Sequence, residues 1–357
     1  MKVKPWCRLR FAATKEYAYG LLNPKFSSWA ENAVDPNLVR KREDTLNALQ
    51  KPMKPLKLPG LVKSLKDMLI LKPTDVEDLM EALDLVPQVD DFVAALAQTG
   101  FARKHVETAS RRKAIRAVGT DLVSQLVLTG LMLRDDFQAP SEFVWTSFWQ
   151  HAVSTGVVAH YLMQVVEGEF TPGKGWDDGK NKKLTSMVAL NTLLGKGKVS
   201  AYLGGLIHDI GKPVMAEVAP YPYYAALRAA IDEQSSLYEM ERRFLGIDHA
   251  ELGQMWLSWN GINGTIQQAV AEHHDLNKKT SALASTVALA NQLVKVYGMG
   301  YSGSPVVDQR NVWKTRSWTD LQAACRNPEI TPELMEEHFV PLVGHLPLFE
   351  PLPRIGA

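Results

Sequence analysis

Leu206-Ile207-His208-Asp209-Ile210-Gly211-Lys212 closes an apolar run with an imidazole and a carboxylate side by side. Together the two offer a metal ion one nitrogen and one or two oxygens. Gly211 suits a helix C-cap, where a positive φ costs little. Lys212 then places a compact positive charge one turn from the pair, where it could meet a phosphate. Taken alone, the stretch reads as a helix end with a satisfied histidine and a solvated aspartate, because His-Asp dipeptides are common by chance. Its surroundings change that reading.

Only nine histidines occur in the chain, and His151, His249, His273 and His274 fall in a limited window around His208. Each sits on or at the end of a helical pattern. Over 141–167, Phe148, His151, Thr155 and Val158 share one helical face, so His151 points where core residues point. His160 falls off that stripe and reads as structural. Asp248 caps the helix that carries His249, with Glu251 completing a D-x-x-E box. Asn263 is placed to cap a helix over Thr265–His274, where Ile266, Val270 and His273 share a face. His274 lies on the flank of that helix, about 100° around from its neighbour. Any one of these histidines could be a hydrogen-bonded core residue. Several on helices form a set rigid enough to hold a metal.

The order His, His-Asp, His, His-His resembles the HD superfamily of metal-dependent phosphohydrolases, and the surrounding residues resemble its HDOD branch. Ala114-Ile115-Arg116-Ala117-Val118-Gly119 looks like that branch's "AI-x-x-LG" helix, and Trp149-Gln150-His151 like its "W-x-H" helix. Gly204 to Lys212 looks like "GLLHDIGK", and Asp248-His249-Ala250-Glu251-Leu252-Gly253 like "DHAEVG". Trp259, Ile266 and His273-His274 look like "W-x-x-P-x-x-I…HH". Two places depart from the pattern. Asn291 stands where HD hydrolases usually carry a late Asp ligand, and it brings a carbonyl oxygen without charge. The family's early "DP-x-L…LxNS" segment, due near 85–101, is replaced by Leu85-Val86-Pro87-Gln88-Val89-Asp90-Asp91 and Ala97-Gln98-Thr99-Gly100-Phe101.

The resemblance implies an all-α, HD-domain-like helical bundle with an N-terminal helical subdomain and irregular terminal extensions. It implies a bacterial protein of signalling or regulation. It also implies a site of one or two divalent transition metals. His151, His208 and Asp209 would hold the first, with Asn291 as a weak fourth contact. Asp209 would bridge to a second held by His249, His273 and His274. Asp209 and Lys212 would be the catalytic residues of any phosphoryl chemistry. Imidazole-rich ligation suits Fe, Mn, Zn or Ni better than Mg. Three readings stand open: a regulatory protein with a vestigial or occupied metal site, an active metal-dependent phosphohydrolase, and an interaction scaffold whose histidines are structural. The implied partners are a phosphate ester or nucleotide and a signalling protein. The cyclic di-GMP chemistry of the related HD-GYP branch is disfavoured, because Asp275-Leu276-Asn277 follows His273-His274 in place of Gly-Tyr-Pro.

The rest of the chain bounds these readings. With 46% apolar and 22% charged residues it has the composition of a globular protein. A net charge of +1 makes no case for nucleic acid or an anionic membrane. Residues 1–72 are nevertheless basic, with 15 Lys and Arg against 6 Asp and Glu, and read as a solvated face or linker or as a contact for an acidic partner or nucleic acid. A second basic run extends from Arg103 to Arg116. Cys7 and Cys325 make neither a disulfide framework nor a metal knuckle, which suits a reducing cytoplasm. No signal peptide and no apolar run long enough for a transmembrane helix is apparent.

Residues 1–54 read as a basic extension and linker, 55–300 as the HDOD domain, and 301–357 as a C-terminal extension. Within the domain, 55–140 would be an N-terminal helical part and 141–300 the part that carries the metal site. Helices are expected from Leu61, after Thr74–Glu77, over 113–134 and 141–167, over Val199–Ile210 and Tyr221–Leu245, and over Ser281–Val296. The Gly-rich loop at 168–183 does not complete a P-loop pattern. It reads as a surface loop or as a lid beside the His-Asp segment.

Overall fold

The structure, a computed structural model, describes residues 42–50, 67, 75–98, 110–134, 145–166, 201–262, 264–297, 303, 312–325 and 330–336. The proline-rich linker, the stripe from Leu61, the loop at 168–183, the Asn263 cap and much of both basic runs lie outside them. The described residues form helices and no strands, in line with the all-α expectation. No helix among them is long and apolar enough to cross a membrane.

The helices are α1 (Arg42–Gln50), α2 (Val76–Leu83), α3 (Pro87–Ala97), α4 (Arg111–Val118), α5 (Thr120–Arg134), α6 (Trp145–Val166) and α7 (Ala201–Ile207). They continue as α8 (Gly211–Val218), α9 (Pro220–Asp232), α10 (Leu237–Leu245), α11 (His249–Trp259), α12 (Gly264–Glu272), α13 (Ala282–Val296) and α14 (Arg316–Ala324). Local chemistry starts α2, α11 and α13 where the sequence suggested. The side chain of Asp75 accepts from the Glu77 amide at the start of α2, and Asp248 accepts from the Glu251 amide at the start of α11. Ser281 and Thr315 cap α13 and α14 in the same way.

Helices α2 to α5 pack on one another and meet the rest through α7. The second group is built around α6, α7 and α13, flanked by α8, α11 and α12. One continuous apolar core runs from Leu79 to Met335. At the N-terminal side, α1 docks on this core. The Thr45 hydroxyl donates to the Leu245 carbonyl at 2.8 Å, and Arg42 pairs with Glu251. At the C-terminal side, the Ser317 amide donates to the Leu276 carbonyl at 2.9 Å, while Val312, Trp318 and Leu321 are buried.

Three expectations are corrected. The helix read over 113–134 is two helices. Gly119 adopts φ 100° between α4 and α5, a conformation that turns the chain and is accessible to glycine. The helix read over Tyr221–Leu245 is also two. The chain breaks after Asp232, Gln234 takes φ 50°, and α10 restarts after Ser236. Gly211 is not a C-cap of positive φ. It opens α8, and its lack of a side chain serves close packing, because a Cβ there would sit 1.9 Å from the His249 carbonyl oxygen.

Candidate metal centre

Two backbone contacts bring the site together. A Cβ on Gly205 of α7 would lie 2.6 Å from the Thr155 carbonyl oxygen of α6, and one on Gly156 would lie 2.9 Å from the Tyr202 carbonyl oxygen. The two helices therefore touch backbone to backbone. His151 stands one turn before this crossing and His208 about one turn after it, which brings their ring centroids to 5.2 Å. On the other side, Gly211 presses α8 against His249 and Gly253 of α11. The His208-Asp209 turn is thus clamped between α6 and α11, and α12 and α13 close around it.

The sequence-derived candidates converge on Asp209, which is 1% exposed. Its Oδ1 lies 3.1 Å from His249 Nε2 and 3.5 Å from His273 Nε2. Its Oδ2 lies 3.3 Å from His208 Nε2 and 3.6 Å from His151 Nε2, and pairs with Lys212 Nζ. Asn291 Oδ1 is 3.1 Å from His151 Nε2, and His274 Nε2 is 2.9 Å from His249 Nε2. His160 lies apart, bonded to Gln164 at 2.9 Å. Lys212 lies beside the pair, as the sequence suggested, but is itself buried and engaged by Asp209.

The far side of each ring fixes its tautomer. His208 Nδ1–H donates to the Gly205 carbonyl at 2.7 Å and His273 Nδ1–H donates to the Val270 carbonyl at 2.6 Å. Their Nε2 atoms are then bare lone pairs, buried without a hydrogen-bond partner and turned toward a carboxylate. Lone pairs facing an anion repel one another, and a cation among them converts the arrangement into an attractive one. His249 is oriented by Glu241, whose Oε2 accepts from the His249 amide at 2.9 Å and lies 2.5 Å from its Nδ1. A carboxylate behind a histidine is a common support for a metal ligand.

Electrostatics point the same way. Burial, with His208 adding to it, drives His151 well below the usual imidazole range. Burial drives His273 down to about 3, although Asp209 opposes it. Burial, with the neighbouring His273 and His249 adding to it, holds His274 well below the usual imidazole range. These rings are neutral, as ligands must be. Burial alone would raise the Asp209 carboxyl, but its charged surroundings, the Lys212 ammonium among them, carry it well below the usual carboxylate range. Burial alone would lower His249, but Glu241 leaves it raised.

Two groups could each hold a metal ion: His151, His208 and Asp209, and His249, His273 and His274. The donors in each lie within 4.8 Å of one another. Nitrogen and oxygen donors about 2.1 Å from a cation stand about 3.0 Å apart at right angles and about 3.4 Å apart in a tetrahedron. The separations of 2.9 to 3.6 Å around Asp209, Asn291 and His249 match that range. The chemistry and closeness of the donors therefore suit a transition metal.

Sequence reasoning passed over Glu241 and Lys295. Both sit on apolar stripes. Leu237, Met240, Glu241, Phe244 and Leu245 are buried on α10, and Asn291 and Lys295 are buried one turn apart on α13. A charged residue at a core position of a helical stripe was the signal available.

Comparison with known proteins agrees with the motif reading. Residues 182–276 match the HDOD domain family. The chain is similar to the solved HDOD domain protein of unknown function from Geobacter sulfurreducens. The identity is 18% and the TM-score 0.56, over 82% of this chain and 92% of the other. A second similar structure is a provisionally named phosphohydrolase from Shewanella amazonensis, at 18% identity and TM-score 0.49, over 84% of this chain and 97% of that one. The first likeness establishes the helical HD-like fold. No curated protein matches the chain.

Proposed function

We propose that this protein is a regulatory HDOD protein that binds a divalent transition metal, Fe, Mn, Zn or Ni, at the site centred on Asp209. The observation that carries the proposal is the set of buried, unpartnered Nε2 lone pairs of His208 and His273 facing the Asp209 carboxylate. His151, His208 and Asp209 would hold one ion with Asn291 beside them, and His249, His273 and His274 could hold a second. When bound, such an ion supplies Lewis acidity toward a phosphoryl oxygen and lowers the pKa of a coordinated water.

The chain's own residues set what that chemistry can do. Glu241 holds the His249 ring in place, and the Gly205 and Val270 carbonyls hold His208 and His273. Burial excludes bulk water from the carboxylate. Lys212 neutralises Asp209 from within the protein, so the carboxylate would be shared between the ammonium and any cation held there. Asn291 offers no charge where a carboxylate would complete the neutralisation of a dication. Both features weaken turnover and leave a binding site suited to a phosphate ester or nucleotide that reports to a signalling partner. A bacterial setting follows from the HDOD resemblance.

Active phosphoester hydrolysis is the second reading, favoured by Lys212 beside Asp209, where it could steady phosphoryl charge. Asn291→Asp separates the two. The regulatory reading expects metal binding with little hydrolysis of a generic phosphodiester such as bis(p-nitrophenyl) phosphate, and a gain in Asn291→Asp. High turnover in the unmodified protein, unchanged in the variant, would overturn it in favour of the hydrolase.

A further inference from the structure

The carboxylates at the heart of the site are both engaged, Asp209 with Lys212 and Glu241 with His249. Lys295 has none. It lies one turn beyond Asn291 on α13 and is 7% exposed. Among the described residues it forms no hydrogen bond or ion pair. Lysine is rarely buried without a partner, because removing an ammonium from water is costly. Its charge is felt on both sides of the site. It helps to hold down His151 of one ligand group and His274 of the other. Burial, reinforced by Lys212 and opposed by Asp209, pushes Lys295 itself down to about 8, which leaves it largely charged near neutral pH.

The charge balance sharpens the point. Two lysines and two carboxylates stand here before any metal is added, and each dication makes the centre more positive. Such a centre calls for an anion. Lys212 is committed to Asp209, so among the described residues the ammonium placed to receive one is Lys295.

We propose that Lys295 is the anion-recognition residue of this site, its ammonium receiving a non-bridging oxygen of a phosphoryl group held at the metal centre. This rests on the metal-centre reading and adds the ligand class and the residue that selects it. The role is one of binding and specificity. The unpaired charge is retained at a cost to the ligand-free fold, and the ligand offsets that cost.

The test uses the full chain, with and without added metal, and inorganic phosphate as the probe. Thermal unfolding is followed as phosphate is titrated into the wild-type protein, Lys295→Met, Lys295→Gln and Lys295→Arg, and metal content is measured on the same samples. Phosphate is expected to raise the midpoint of the wild-type protein. Both neutral variants should need at least tenfold more phosphate for the same rise, and Lys295→Arg should retain part of the response. In phosphate-free buffer the methionine variant should unfold at a higher temperature than wild type, an effect that a lysine of merely structural value would reverse. Equal phosphate responses in wild type and the neutral variants, or none in wild type, would overturn the proposal. Absence of metal in the wild-type protein would instead overturn the metal-centre reading, and the phosphate comparison would still decide the role of Lys295.

Discussion

Gly211→Ala tests whether backbone contact, rather than the His-Asp dipeptide alone, builds the site. An ideal Cβ at position 211 falls 1.9 Å from the His249 carbonyl oxygen, 2.7 Å from its carbonyl carbon and 2.9 Å from the Gly253 nitrogen. These are backbone atoms and cannot rotate away. A carbon beside a carbonyl oxygen needs about 3.3 Å, so α8 and α11 must separate by about 1.4 Å. Overpacking of this kind costs on the order of 3 kcal/mol, a fall of about 4 °C in the unfolding midpoint for a chain of this size. The same displacement pulls His249 from the Asp209 carboxylate, now 3.1 Å from its Nε2. Metal sites tolerate errors of about 0.2 Å in ligand distance, so metal affinity should fall at least tenfold. Thermal unfolding and metal titration of Gly211→Ala are compared with Gly264→Ala, where the added Cβ meets open space. If Gly211→Ala unfolds at the wild-type temperature and binds metal as wild type does, the clamp between α8 and α11 is not what positions His249.

Two further predictions follow from other residues. Glu241→Gln keeps the size of the side chain and removes the charge behind His249, and should weaken metal binding about 10- to 100-fold; an unchanged titration would remove Glu241 from the site. Burial pushes the Cys325 thiol from its ordinary 9.0 up to about 11. The folded pKa lies above the unfolded one, so this thiol's contribution to stability is complete below pH 9 and is lost as pH rises toward 11. At pH 8 its thiolate fraction, and so its rate of alkylation, should be on the order of 100-fold below that of an unfolded chain; equal rates would contradict its burial.

Much of the candidate site was legible because the residues gathered at Asp209 carry a dense local pattern. His151 showed itself through a helical stripe, His208 and Asp209 through adjacency at the end of an apolar run, and His249 through the Asp248 cap. The architecture that joins them was not legible. Gly211 reads locally as a cap and nothing local marks Gly156 or Gly205, yet their work is to let helices distant in sequence touch. That contact is a property of tertiary packing, which no local window contains. The helix breaks at Gly119 and after Asp232 were missed because apolar residues continue on both sides, so periodicity alone ran through them. Glu241 and Lys295 were written in the stripes of α10 and α13 and were passed over because attention followed histidines. A charge on a buried stripe carries the same information as a histidine there, since each must find a partner in the interior.

The central claim is that the lone pairs gathered around Asp209 hold a metal. The most direct test is elemental analysis of the full chain, purified without chelator or His-tag, alongside Asp209→Ala. About one or two equivalents of Fe, Mn, Zn or Ni in the wild-type protein, lost in the variant, is the result this account predicts. No metal in either protein, or equal metal in both, would contradict it.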